Sequence, residues 1–131
     1  MDITEIKPGM KLEAREQVTE SRTAAALGSG TLPVYGTPAM MCLMEKAAAE
    51  LAEDGLPEGW TSVGILMQVS HDAPTPVGVE VRAEAEVTAV EGRKIIYEVR
   101  AFDARGQIGK GRHERFAVQQ DKFLAKAGER K

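Results

Sequence analysis

Through the second half of the chain, apolar and polar residues alternate with a period of two, and that alternation predicts strands. In Thr61–His71 it puts Val63, Ile65, Met67, Val69 and His71 on one face, with Ser62, Gly64, Leu66, Gln68 and Ser70 on the other. After a turn at Asp72–Pro76, Val77, Val79, Val81, Ala83, Ala85, Val87 and Ala89 share a face, opposite Glu80, Arg82, Glu84, Glu86 and Thr88. A turn at Glu91-Gly92 leads to Ile95, Tyr97, Val99 and Ala101, again alternating. Residues 103–106 form a further turn, Ile108–Val118 a last strand, and residues 119–127 a short terminal helix. Near the start, residues 11–18 read as a first strand after a Pro8-Gly9 turn.

One segment has a different rhythm. Pro38–Asp54 is rich in Ala, Met, Leu and Glu, which favour helix. Thr37 is placed to cap it, Pro38 suits the first helical position, and Gly55 with Pro57 ends it. Residues 39–44 are all apolar, so the first half of this helix is expected to be enclosed by other elements. Residues 19–36 lack periodicity and read as a lid, a binding segment or an irregular connection. One helix and several half-polar strands joined by short turns predict an α+β architecture, a curved antiparallel sheet wrapped around one long central helix. A single helix leaves sheet edges and apolar surface uncovered, so a homodimer, extending to a tetramer if dimers pair, is expected.

Composition narrows the possibilities. At 131 residues the chain is expected to form a single domain over 1–131, and 43% hydrophobic residues can support a core. A net charge of −3 with dispersed basic residues argues against nucleic acid as a partner. No apolar run approaches a membrane span, and the N-terminal MDITEIKPGM lacks the pattern of a signal peptide, so neither membrane association nor secretion is expected. Cys42 has no second cysteine to pair with, which suggests a reducing, cytoplasmic setting. His71 and His113 are too few for a zinc site, and no metal is expected. The run Gly109-Lys-Gly111-Arg-His113-Glu114 is not a dinucleotide fingerprint, because the third glycine is missing and no helix follows. Cys42 reads as an inert small hydrophobe, Met40, Met41 and Met44 read as core or as an adaptable pocket wall, and single Trp60 and Tyr35 are too few for a base-stacking platform.

Three polar residues stand out against this background. His71 shares a face with four aliphatic residues and ends its strand beside a Pro-rich turn; it is either a hydrogen-bonded core histidine or a working imidazole. Glu45 follows the apolar helix run and shares a stripe with Met41, Ala48, Ala49 and Ala52; it either begins the solvated side or lies enclosed near a histidine, where the two would couple. Thr37 is a cap, or a group working with the helix N-terminus at an oxyanion. Eight residues separate Thr37 from Glu45, about 12 Å along a straight helix. For both to reach one carbon the helix must start late or bend, or the pocket must draw on two subunits.

Thr37-Pro38-Ala39 opening a helix, Glu45 within it, Val69-Ser70-His71 before Thr75-Pro76-Val77-Gly78, and the late Gly109-to-Arg115 run together resemble the hotdog-fold thioesterases, specifically the fluoroacetyl-CoA thioesterase-like group. The resemblance spans residues 5 to 120. It implies a hotdog-fold homodimer that hydrolyses acyl-CoA thioesters without a cofactor, CoA being part of the substrate. It implies Thr37, Glu45 and His71 as the catalytic trio, with Gly64 and Arg115 as substrate-binding support. The family's fluoroacetate-specific member uses phenylalanines before the helix as a lid. Residues 19–36 hold no Phe, their bulky apolar residues being Leu27, Leu32, Val34 and Tyr35, so the expected substrate is an ordinary small or medium acyl-CoA. Other chemistries open to such a chain are an acyl-CoA hydratase or dehydratase and a non-catalytic acyl-CoA-binding module.

Overall fold

In the computed structural model residues 3 and 5–131 are described; Met1, Asp2 and Thr4, part of the N-terminal stretch and of the 1–131 span read above, lie outside them. Five antiparallel strands form one sheet: β1 (Lys11–Gln17), β2 (Trp60–His71), β3 (Glu80–Glu91), β4 (Lys94–Asp103) and β5 (Gly106–Gln119). Helix α2 (Thr37–Asp54) lies across one face of it, after a short α1 (Ala24–Leu27); α3 (Gln120–Gly128) follows β5. Among the described residues no helix is long and apolar enough to cross a membrane.

The helix and sheet meet through small residues. Ala47, Ala48 and Ala52 of α2 and Ala83, Ala85, Ala101 and Ala117 of the strands are fully buried, which lets the two layers approach closely. Larger side chains, among them Met40, Met44, Val81, Val87, Ile95 and Tyr97, fill the space around them. The Tyr97 hydroxyl donates to the Ala48 carbonyl at 3.0 Å and ties the middle of α2 to β4. The opposite face is charged: Arg82 bridges Glu13 and Glu84, and Arg100 bridges Glu84, Glu86 and Glu98. These surface pairs contribute little each, but they offset the repulsion of Glu86 directly opposite Glu98.

The short connection between β2 and β3 does not make them neighbours, contrary to the expectation from turn length. The order is β1-β3-β4-β5-β2, so residues 72–79 cross from one edge strand toward the other side of the sheet. That crossing delays the start of β3 to Glu80, leaving Val77 exposed in the connection instead of on the strand's inner face.

A second correction concerns β2. Gly64 pairs with Arg115 and Leu66 with Glu114, so Ile65 is an extra, bulged residue. Each side of the bulge keeps its alternation, but the phase shifts by one. Met67, Val69 and His71 face the helix as predicted, whereas Ser62 and Gly64 face it in place of Val63 and Ile65; Ile65 is 51% exposed. A similar slip between Val87 and Ala89 in β3 turns Val90 inward where Ala89 was expected.

The segment 19–36 is folded rather than irregular. A 3-10 turn (Glu20–Arg22) precedes α1, whose cap is the Thr23 side chain accepting from the Ala26 amide. Backbone bonds join Ala24 to Val34, Ala25 to Leu32, Gly36 to Arg22 and Tyr35 to Thr75, and residues 34 and 76 form a bridge. Helix α2 begins one residue earlier than predicted. Gly36 occupies the cap position and Thr37 is already helical, which frees its hydroxyl from capping. The first half of α2, expected to be enclosed, is only partly so: Met40, Leu43 and Met44 are buried, but Cys42 is exposed.

Candidate active site

Two polar clusters occupy the face between α2 and the β2–β5 edge of the sheet. At the N-terminus of α2, Thr37 Oγ1 lies 2.8 Å from His71 Nδ1. His71 ends β2 opposite Gly109, and a Cβ there would sit 2.6 Å from Met40 Sδ, so glycine lets α2 come down over the strand end. The other ring nitrogen of His71, Nε2, is shielded from solvent and has no partner. Burial pushes the His71 pKa below the ordinary value of 6.5, against the opposing charge of Asp72. The imidazole packs edge-on to Tyr35, with centroids 6.5 Å apart, beside a cavity of about 290 Å3 lined by Val34, Ala73 and Pro74 among others. Tyr35 is held in turn: its hydroxyl donates to Glu16 at 2.6 Å, and Glu16 pairs with Arg22 at 3.3 Å. Burial, reinforced by the Glu16 carboxylate, pushes the phenol far above its usual range, so Tyr35 stays neutral.

The second cluster surrounds Arg115, which is buried on β5. Its Nε donates to Ser62 Oγ at 2.7 Å, Nη2 to the Ser62 carbonyl at 2.9 Å, and Nη1 to His113 Nε2 at 3.2 Å. The same Nη1 stands 3.6 Å from Glu45 Oε2, an ion-pair distance beyond a hydrogen bond. His113 is fully buried, stacked on Tyr97 at 5.6 Å, and its Nδ1 reaches the Leu66 carbonyl at 2.8 Å. Burial lowers the pKa of both His113 and Arg115, and in His113 the Arg115 charge adds to the effect. Glu45 projects from α2 over Gly64, where a Cβ would lie 2.7 Å from Oε2; the missing side chain is what admits the carboxylate.

Thus the sequence-selected residues are all on this face, but in two groups. Thr37 meets His71, and Glu45 meets Gly64 and Arg115. Within one chain Glu45 and His71 are not neighbours, and Glu45 is not enclosed, its side chain being 45% exposed. The physical reason is the length of α2: it starts at Thr37, which leaves eight residues, roughly 12 Å, between the two groups. Sequence reading passed over His113, Ser62 and Tyr35. For His113 the signal was available, since it alternates with Arg115 and Ala117 on the inward face of β5, where a histidine and an arginine have no place without partners.

Residues 18–121 match the model of the fluoroacetyl-CoA-specific thioesterase family. Over 93 residues the chain is 40% identical to the fluoroacetyl-CoA thioesterase of Streptantibioticus cattleyicolor, covering 71% of this chain and 67% of that protein. A solved structure of a fluoroacetyl-CoA thioesterase superposes with a TM-score of 0.91 at 31% identity, over 96% of this chain and 98% of that one. A hot-dog-like protein from Thermanaerovibrio acidaminovorans superposes with a TM-score of 0.90 at 30% identity, over 99% and 97% of the two chains.

Proposed function

Because this chain belongs to the fluoroacetyl-CoA-specific thioesterase family, we propose that it hydrolyses a small acyl-CoA to the free acid and CoA, with Thr37, Glu45 and His71 as the reacting groups. The observation that carries this reading is the Thr37–His71 contact at the start of α2, beside a shielded and unpartnered His71 Nε2. A half-buried imidazole whose pKa lies below its ordinary value can take a proton and return it. The first amides of α2 and the Thr37 hydroxyl suit the charge that develops on a thioester oxygen.

The site is completed by a second copy of the chain. Edge strand β2 supports this, since WTSVGILMQVSH contains no Asp, Glu, Lys or Arg, whereas edge strand β1 is guarded by Lys11, Glu13 and Arg15. The separation of the two clusters supports it too, because a homodimer across β2 can set Glu45 of one protomer against the Thr37–His71 pair of its partner. In the hydrolytic step an oxygen nucleophile adds to the carbonyl: water deprotonated with the help of Glu45 and His71, or the Glu45 carboxylate itself, giving an anhydride that water then opens. The tetrahedral oxyanion collapses and the C–S bond breaks; on the water route His71 passes the proton taken from the water to the CoA thiolate, and on the anhydride route the thiolate takes its proton from the water that opens the anhydride, carried by His71. The scheme draws on the chain, the acyl-CoA and water. The lone Cys42 fits a cytoplasmic setting for it. In place of phenylalanines the segment 19–36 carries Leu27 and Leu32, both exposed, which favours unfluorinated acyl groups as substrates.

Free-thiol release from a panel of acyl-CoAs tests the proposal. His71→Ala and Glu45→Gln should each lower kcat by about 100-fold or more, and Thr37→Ala by roughly 10- to 100-fold. Turnover unchanged in His71→Ala and Glu45→Gln would overturn the assignment.

A further inference from the structure

We propose that the groove where β5 runs into α3 takes the 3′-phosphoadenosine diphosphate end of the CoA substrate. This inference rests on the hydrolytic reading above and supplies what the Thr37, Glu45 and His71 region lacks, a place for the charged end of the molecule. The groove has a volume of about 250 Å3 and is lined by Trp60, Arg93, Phe116, Lys122, Phe123 and Lys126 among its residues, none of them acidic. That volume equals roughly eight waters, suited to a flat heterocycle with part of its sugar.

Among the described residues unpaired cations occur elsewhere too, Arg105 and Lys110 for example, but in this groove two features coincide. First, its cations are uncommitted. Arg15, Arg22, Arg82, Arg100, Arg112 and Arg115 are all in ion pairs, but among the described residues Arg93, Lys122 and Lys126 have no carboxylate partner. Lys122 and Lys126 are one helical turn apart on exposed α3, so they present their ammonium groups along one side. Second, the aromatic faces are open. Phe116 is 38% and Phe123 40% exposed, and the Arg93 guanidinium lies 5.0 Å from the Trp60 ring centroid. Aromatic faces flanked by free cations, on a protein whose net charge is −3, match a purine carrying several phosphate charges.

The distance also fits. Gln119 follows Arg115 by four residues of strand, on the order of 14 Å. The pantetheine arm, two amides with their spacers, spans about as much as five extended residues, roughly 17 Å. A nucleotide in the groove therefore lets the thioester reach Glu45 of the same protomer.

The test compares the wild-type chain with Lys122→Glu/Lys126→Glu, an exposed pair whose replacement leaves the core untouched. The ratio of kcat/KM for acetyl-CoA to that for acetyl-pantetheine should fall about tenfold in the variant, the loss of two exposed charge contacts. Calorimetry with adenosine 3′,5′-bisphosphate should show saturable binding to the wild type that weakens with salt and is lost in the variant. A ratio that does not move, or inorganic phosphate binding as tightly as the bisphosphate, overturns the proposal. If neither protein hydrolyses any thioester, the hydrolytic reading fails while the bisphosphate titration still decides the groove.

Discussion

The Leu66 carbonyl can only accept, so the single proton of neutral His113 sits on Nδ1, and Nε2 is left to accept from Arg115. Protonating that ring would press two cations together 3.2 Å apart. His113 is therefore a positioning residue: it spends one Arg115 donor inside the core, and Ser62 spends two more, fixing the guanidinium edge that meets Glu45. His113→Leu should cost about 1–3 kcal/mol, read from the urea midpoint, because it leaves a buried Arg115 N–H unpaired. His113→Gln, which restores an acceptor, should recover part of the loss. Both histidines have pKa values lowered by burial, so below pH 6.5 the unfolded chain binds protons that the folded one refuses. Stability should thus be fully present above pH 6.5 and decline as pH falls from there toward the folded-state values. Urea midpoints at pH 7.5 and 5.5 check this, and the acid limb of kcat/KM should have its midpoint below 6.5.

At the level of elements, the Ile65 bulge decides which residues of β2 see the helix. Strict alternation left Ser62 and Gly64 on the wet side; one unpaired residue turns them inward, under Arg115 and Glu45. Gly64→Ala should lower kcat at least tenfold with a folded protein, since its Cβ would displace the carboxylate at 2.7 Å; steady-state kinetics beside a melting curve distinguish that from unfolding. The central helix, the five strands, the inward face of β4 and most of that of β3, and the terminal helix were legible because periods of 3.6 and 2 persist there over many residues. Bulges were not, because a single inserted residue carries no compositional mark. Strand order escaped for a related reason: residues 72–79 look like a turn locally, and only the packing of α2 across the sheet decides that they cross it. Of the site, the residue types were readable from polar groups set among apolar ones. The helix spacing already set Thr37 about 12 Å from Glu45; that His71 joins Thr37 and not Glu45 was not readable, because it depends on where α2 starts and on the inward turn of Gly64.

For the molecule as a whole, the uncharged outer edge of β2 and the two separate clusters are what support the proposed second copy. Sedimentation equilibrium should give twice 14.2 kDa. Ile65→Lys, placing a charge on that edge at a residue already 51% exposed, should yield a folded monomer with little turnover; a dimeric, fully active variant would sink the composite site. The segment before α2 has a further consequence at this scale. Its two ends are stitched to each other and to the crossing connection by backbone bonds, from Arg22 to Gly36, Ala24 to Val34 and Thr75 to Tyr35, and Tyr35 anchors it from below. Ser29 bonds back to Ala24 and Leu32 accepts from Ala25, so only the tip at residues 30 and 31 is left to swing without unpicking a backbone bond. The doorway to the proposed acyl pocket is thus a narrow awning on a fixed frame, and appetite for longer or bulkier acyl groups should be tunable by exchanging that tip while the machinery behind it stays as it is.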